Sequence, residues 1–173
     1  RDILSLSLVQ LPEVTRPLPD GVSDGFDVFV GYLLLDAWIG NTDRHHENWG
    51  VLLRREEGKA RGSLAPSYDH ASSLGRELSD EHRTRQVRPF QGSRVEYYAR
   101  RARSAFYPGG GQTDPLSTWS AFQVAAAYRP DAAEAWMNRL RQVSDEAVAE
   151  AVQAVPASHM SEVAKDFACA LLA

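Results

Sequence analysis

Lysine is nearly missing from this sequence: 17 of the 19 basic residues are arginine, and the two lysines are Lys59 and Lys165. Cysteine is rarer still, with Cys169 alone, so no internal disulfide can staple the fold and a reducing compartment is expected. Cys169 lies in an apolar stretch and reads as a small buried hydrophobe. Long apolar runs are also lacking. The longest, residues 28–39, is broken by Asp36 and falls short of the ~20 residues that a membrane-spanning helix needs. No signal-peptide pattern is visible, so the expected location is the cytoplasm, with no membrane partner. Nor is there an excess of positive charge. A formal net charge of -4 gives no general reason to expect nucleic acid as a partner.

What is present is an ordinary globular composition: 173 residues, 43% apolar and 24% charged, enough for one core. Residues 1–173 are therefore read as a single domain, or as one lobe of a larger fold. The sequence opens on Arg1 and reaches its strongest motif by residue 40, which reads as a piece of something longer.

Residues 1–23 hold an apolar patch at 3–11 and prolines at 12, 17 and 19, expected to form a short strand or irregular segment and then a loop. Asp24 is a plausible N-cap for a helix over 26–39 that is apolar on nearly all sides and belongs at the centre of the core. Gly40 ends it. Residues 49–53 and 64–68 read as two strands of a β-hairpin, with the charged stretch 54–62 as its turn. Residues 75–103 are polar and arginine-rich, and 107–118, with three consecutive glycines, read as an exposed loop. Four helices follow: 119–128; 130–143, with Pro130 in its first turn; one capped by Ser144 and ending before Pro156; and one opened by Ser158. The expected fold is mainly α with a small β-hairpin.

The chemistry concentrates just past the buried helix, in Gly40-Asn41-Thr42-Asp43-Arg44-His45-His46-Glu47-Asn48. A polar loop between a buried helix and a strand is rigid at its ends and exposed in its middle, where catalytic residues are usually held. A hairpin folding back brings Asp69, at the end of its return strand, beside that loop. The set is then one carboxylate suited to act as a base, plus an amide and a second carboxylate as hard oxygen ligands. Phosphoryl transfer needs that combination. Magnesium takes oxygen ligands and keeps much of its coordination for phosphates and water, while a separate carboxylate accepts the proton of the incoming hydroxyl. Asp-x-x-x-x-Asn, followed 26 residues after Asp43 by Asp69, follows the logic of a kinase catalytic loop and its magnesium aspartate.

The residues 41–48 together with Leu64-Ala65-Pro66-Ser67-Tyr68-Asp69 resemble the C-terminal lobe of the HipA-like serine/threonine kinases, the toxins of bacterial toxin–antitoxin pairs and their relatives. The core Asp43-Arg44-His45-x-x-Asn48 is also similar to the loop of the phosphoinositide kinases. The resemblance covers residues 24–75 and extends loosely to the last helix. It implies an atypical protein-kinase-like C-terminal lobe that uses ATP and Mg2+, with Asp43 as base and Asn48 and Asp69 as metal and cofactor ligands. His45 would stabilise the loop or the transferred phosphate, and Asn41 would pin the loop backbone. It implies a protein substrate and, for a toxin-type kinase, a small DNA-binding antitoxin as partner. Glu47 stands where many relatives carry a basic residue.

Other readings compete with these. His45 and His46 beside Asp43 raise the thought of zinc, but His70, His82 and His159 are scattered and no second His or Cys pair stands at metal spacing. Tyr68 and Trp49 read as core. The triple glycine is no phosphate loop, since no Gly-Lys-Ser/Thr follows it. The stretch 76–103 carries eight arginines against four acids and reads as a salt-bridged surface, or else as a docking surface for substrate or nucleotide phosphate. Direct nucleic-acid binding is disfavoured by the thin aromatic interleaving there. A glycine-rich cradle and an upstream lysine, which a kinase needs, are not in this sequence. A separate N-terminal ATP-cradling lobe, from the same or another polypeptide, is expected to supply them. The alternatives are a non-catalytic, pseudokinase-like partner-binding module and a lipid-kinase lobe.

Overall fold

The proline-free stretch Gly25–Ile39 forms the helix around which everything else packs, α1, in a computed structural model that describes residues 18–56, 59–87, 95–109 and 111–173. The patch 3–11 and the prolines at 12 and 17 lie outside the described residues. Asp24 caps α1 by accepting from the N–H groups of Phe26 and Asp27, and the Asp27 carboxylate accepts from the Asp24 N–H, closing a capping box. At the other end Gly40 takes the left-handed conformation, φ 64°, as a helix-terminating glycine does.

The chain continues through β1 (Val51–Glu56), β2 (Lys59–Leu64), α2 (Asp80–Val87), α3 (Val95–Arg101), α4 (Thr118–Tyr128), α5 (Pro130–Leu140), α6 (Asp145–Gln153) and α7 (Glu162–Leu172). The fold is thus mainly helical with one two-stranded antiparallel hairpin among the described residues, as the sequence pattern predicts. Helices α4, α5 and α7 and strand β2 all touch α1, which explains why α1 is apolar on nearly every side. Phe29, fully buried, meets Trp49 edge-on at 5.1 Å and Phe106 at 6.2 Å. A second, smaller core lies between α6 and α7, where Val148, Val152 and Ala168 are buried and Trp38, Leu74 and a partly buried Cys169 pack against them.

Several boundaries differ from the sequence reading. The hairpin strands pair Val51 with Leu64 through to Glu56 with Lys59, so most of the charged stretch read as a turn is strand. Its residues are tolerated there because β1 is exposed along Val51–Arg55, Leu53 at 77%. The second strand ends at Leu64, where the return strand was expected to start, and residues 65–70 continue outside the sheet without regular secondary structure. Two short helices, α2 and α3, occupy the arginine-rich stretch that sequence reading left without secondary structure. Opposite charges a turn apart support them, Arg83 with Asp80 at 2.6 Å, Arg85 with Glu81 and Arg100 with Glu96 at 4.0 Å. The last helix is capped by Ser161, not Ser158, because residues 156–160 close a turn in which the N–H groups of His159 and Met160 both donate to the Pro156 carbonyl. Helix α5 stops at Leu140, and Gln142 and Val143 close a turn after it.

Gly31 marks the crossing of α1 and α5. A Cβ there would stand 2.5 Å from the Trp136 ring, which is fixed by an indole N–H bond of 2.8 Å to the Asp27 carbonyl. Gly→Ala inside a helix ordinarily gains about 1 kcal/mol. Here the overlap is expected to reverse the sign, so Gly31→Ala should lose about 1–3 kcal/mol in urea unfolding. A gain in stability would show that the crossing is looser than this.

Candidate active site

Asp36 is buried in α1 at 2% exposure, and it is answered by Arg44, buried at 1%. Arg44 Nε donates to Asp36 Oδ2 and Nη2 to Asp36 Oδ1, both at 2.8 Å, a bidentate pair. Nη1 donates to two main-chain carbonyls, Asn48 at 2.7 Å and Tyr68 at 3.2 Å. Nη2 also reaches Ser67 Oγ at 2.9 Å and His70 Nδ1 at 3.2 Å. All five guanidinium N–H groups are therefore used. One nitrogen joins the residue that ends the polar loop to the residue that precedes Asp69.

The rest of the loop hangs on this clamp. Asn41, fully buried, donates from Nδ2 to Asp36 Oδ1 at 2.8 Å and accepts the Asp43 N–H at 3.2 Å on its Oδ1. Asn48 Nδ2 donates to the Asp43 carbonyl at 2.6 Å. Only the amide NH2 can face a carbonyl, so this bond fixes the side chain's orientation and leaves Oδ1 as an acceptor that no described residue occupies. The Asp43 side chain is 45% exposed. His45 Nε2 stands 3.6 Å from Asp43 Oδ1, and its Nδ1 accepts the Glu47 N–H at 3.2 Å, which places the ring proton of the neutral form on Nε2, toward Asp43. Ser72 Oγ lies 3.5 Å from Asp43 Oδ2.

Asp69 is exposed and lies five residues beyond β2 rather than at its end. It adopts φ 54°, a left-handed conformation that Asp accepts more readily than most residues. Its carboxylate has no hydrogen bond or ion pair with a described residue. Asn48 Oδ1 and the Asp69 carboxylate are thus two unclaimed oxygen donors on segments tied to one guanidinium, a donor set that suits Mg2+ with phosphate and water completing its shell. Among the described residues, no three His, Cys, Asp or Glu side chains gather in a way that could hold a metal.

Asp36 and Arg44 are the residues that sequence reasoning did not single out. The available signal was a carboxylate interrupting an otherwise apolar helix, eight residues before an arginine in the strongest motif. Tyr68 also differs from expectation. It is 41% exposed instead of core, with its hydroxyl donating to the Glu47 carbonyl at 2.7 Å, whereas Trp49 is buried. Tyr32 lies under the clamp, its ring 5.9 Å from the Arg44 guanidinium carbon and its hydroxyl donating to the Ala65 carbonyl. Burial pushes its pKa to about 12, against the opposing pull of Arg44. Lys165 is buried on α7 and paired with Glu162 at 3.1 Å, and the Lys59 side chain lies outside the described residues. No helix among the described residues is long and apolar enough to cross a membrane.

The fold is that of a kinase-like lobe. The chain superposes on the crystal structure of a Helicobacter pylori proinflammatory kinase, CtkA, with a TM-score of 0.62 and 20% identity, covering 85% of this chain and 48% of that one. It therefore spans about half the length of that kinase. No family model and no curated protein matches the chain.

Removing one partner of a fully used buried ion pair leaves the other charge stranded. Asp36→Ala and Arg44→Met are each expected to cost about 3–5 kcal/mol in denaturant unfolding, and the double variant to lose clearly less than the sum. Additive losses would show that the pair is not coupled.

His70 gives a pH dependence. Burial, then the Arg44 charge, hold its pKa below the ordinary 6.5, since protonation would remove the acceptor that faces Nη2. The unfolded chain then binds more protons between the lowered folded value and 6.5, so stability falls as pH drops through that window. His70→Asn, which keeps an acceptor without titrating, is expected to flatten the stability profile there. An unchanged profile would assign the effect to other groups.

Proposed function

We propose that this chain is the catalytic lobe of a HipA-like kinase that transfers a phosphoryl group from ATP to a protein serine or threonine hydroxyl. The observation that carries the reading is the Arg44 Nη1 bridge between the Asn48 and Tyr68 carbonyls, which sets two unclaimed oxygen donors, on Asn48 and Asp69, close to a loop bearing the exposed Asp43. In this reading Asp43 accepts the proton of the attacking hydroxyl. Asn48 Oδ1 and the Asp69 carboxylate hold Mg2+, which when bound offsets charge on the phosphate oxygens. Asn41 fixes the main chain at Asp43. His45, its proton directed at Asp43 Oδ1, steadies the carboxylate, so that Oδ2 is the oxygen left to work.

The likeness to CtkA, at 20% identity, supports the kinase fold, while the residue roles come from the loop chemistry and the HipA-like motifs. The chain spans about half of CtkA, and this proposal assigns the phosphate cradle and its lysine to an N-terminal lobe outside residues 1–173. A toxin role with an antitoxin partner follows only from the family resemblance, and action in a reducing cytoplasm from the single cysteine.

In the full-length protein, Mg2+ with ATP is expected to raise the unfolding temperature, and Asp69→Ala to abolish that rise. Asp43→Ala should keep the thermal shift but lower phosphotransfer by about 10²–10⁴-fold, the usual contribution of a positioned base. If neither wild type nor variants respond to ATP with Mg2+, the kinase reading fails and a pseudokinase-like binding module takes its place. Transfer to phosphoinositide vesicles but not to proteins would instead select the lipid-kinase reading.

A further inference from the structure

The carboxylate assigned as base already faces a hydroxyl of its own chain. Ser72 Oγ stands 3.5 Å from Asp43 Oδ2, the oxygen opposite the one that His45 approaches. The approach is built into the main chain. The Ser72 carbonyl accepts the Thr42 N–H at 3.1 Å, and the Leu74 N–H donates to the Ile39 carbonyl at 2.9 Å, so residues 72–74 run hydrogen-bonded along the chain that leads into Asp43. Nearby serines are engaged differently. Ser73 Oγ donates to the His70 carbonyl, and Ser67 Oγ accepts from Arg44. Ser72 is partly exposed and lies three residues beyond Asp69, so at most about 10 Å of chain separates it from the proposed metal ligand.

We propose that Ser72 is an internal phosphoryl acceptor: the protein phosphorylates its own Ser72 in cis and thereby closes its site to outside hydroxyls. The proposal rests on the kinase reading above. The Ser72 Oγ proton passes to Asp43 Oδ2 as the Oγ–P bond forms to the γ-phosphorus of ATP. The bond from that phosphorus to the β,γ-bridging oxygen breaks, and its electron pair leaves with ADP. A 3.5 Å separation is long for proton transfer, but such contacts tighten when the reactants are in place. A hydroxyl held by main-chain bonds beside the base needs no encounter with a second molecule. The product is a phosphoserine carrying nearly two negative charges beside a carboxylate. Like-charge repulsion and the lost acceptor position then both oppose further turnover.

The test uses the full-length protein, first treated with a phosphatase and then incubated with ATP and Mg2+, with casein as an outside acceptor. Fragmentation mass spectrometry separates Ser72 from Ser73. The expected result is label on Ser72 that persists in Ser73→Ala, vanishes in Ser72→Ala and Asp43→Ala, and accumulates at a rate unchanged by dilution. Casein phosphorylation should slow as Ser72 fills, and the phosphorylated form should melt at a lower temperature than the phosphatase-treated form. Casein phosphorylation with Ser72 unlabelled would overturn this proposal and leave the kinase reading standing. A labelling rate that rises with protein concentration would overturn the transfer in cis, and equal melting temperatures would overturn the placement of the phosphate beside Asp43. No transfer to casein or to any residue of the protein would overturn the kinase reading itself.

Discussion

One buried ion pair organises the functional end of this lobe. Arg44 and Asp36 are almost wholly excluded from water, where two charges survive only if geometry and further hydrogen bonds offset their desolvation. Both conditions are met, because the guanidinium spends its remaining N–H groups on two main-chain carbonyls, a serine hydroxyl and a histidine ring. A hydrophobic pair of similar volume could fill the same space, with no way of joining residue 48 to residue 68. The pair is better understood as a register device than as a source of stability.

The clamp works because its carboxylate sits on the most deeply buried helix. Asp36 belongs to α1, held by α4 and α5 on one side and by α7 on another, so the anchor cannot drift. From Asp36 the constraint passes through Arg44 to Asn48 and Tyr68, and through Asn41 to the Asp43 N–H. The side chains of the proposed site are held by their main chain while their own atoms stay available. Asp43 is about half exposed, and Asn48 presents one free oxygen because its other amide atom is committed. Backbone strain collects beside them. Asp69 and Leu74 are the two non-glycine residues with positive φ among the described residues, and they flank the segment carrying Ser72. Such conformations cost of order 1–3 kcal/mol each and persist only when the surroundings enforce them.

Much of this was legible in the sequence where a local rule governed the outcome. Asp24, Gly40, Pro130 and Ser144 mark helix ends because capping depends on residues within one turn. The apolar stretch after Asp24 announced a central helix for the same reason. The hairpin was found but misplaced, since an exposed two-stranded ribbon tolerates charges that a half-buried strand would not, and its residues 54–56 therefore looked like a turn. Helices α2 and α3 were missed because they bury almost nothing: α2 has no buried residue and α3 only Val95, so no apolar period betrays them. In the site, the polar loop and Asp69 stood out by residue type and spacing. The partnership of Asp36 with Arg44 could not be read that way, because it depends on how the chain turns at Gly40, and Ser72 reaches Asp43 only through main-chain pairing across 30 residues.

The central claim is that Asn48 and Asp69, held in register through Arg44, form one metal-binding pair. A manganese titration of the full-length protein with a non-hydrolysable ATP analogue tests it most directly, read by paramagnetic broadening of assigned NMR signals. The account predicts that the Asn48 side-chain amide and the Asp69 N–H broaden first and together, before the other loop signals. Broadening centred elsewhere, with those two signals left sharp, would contradict it.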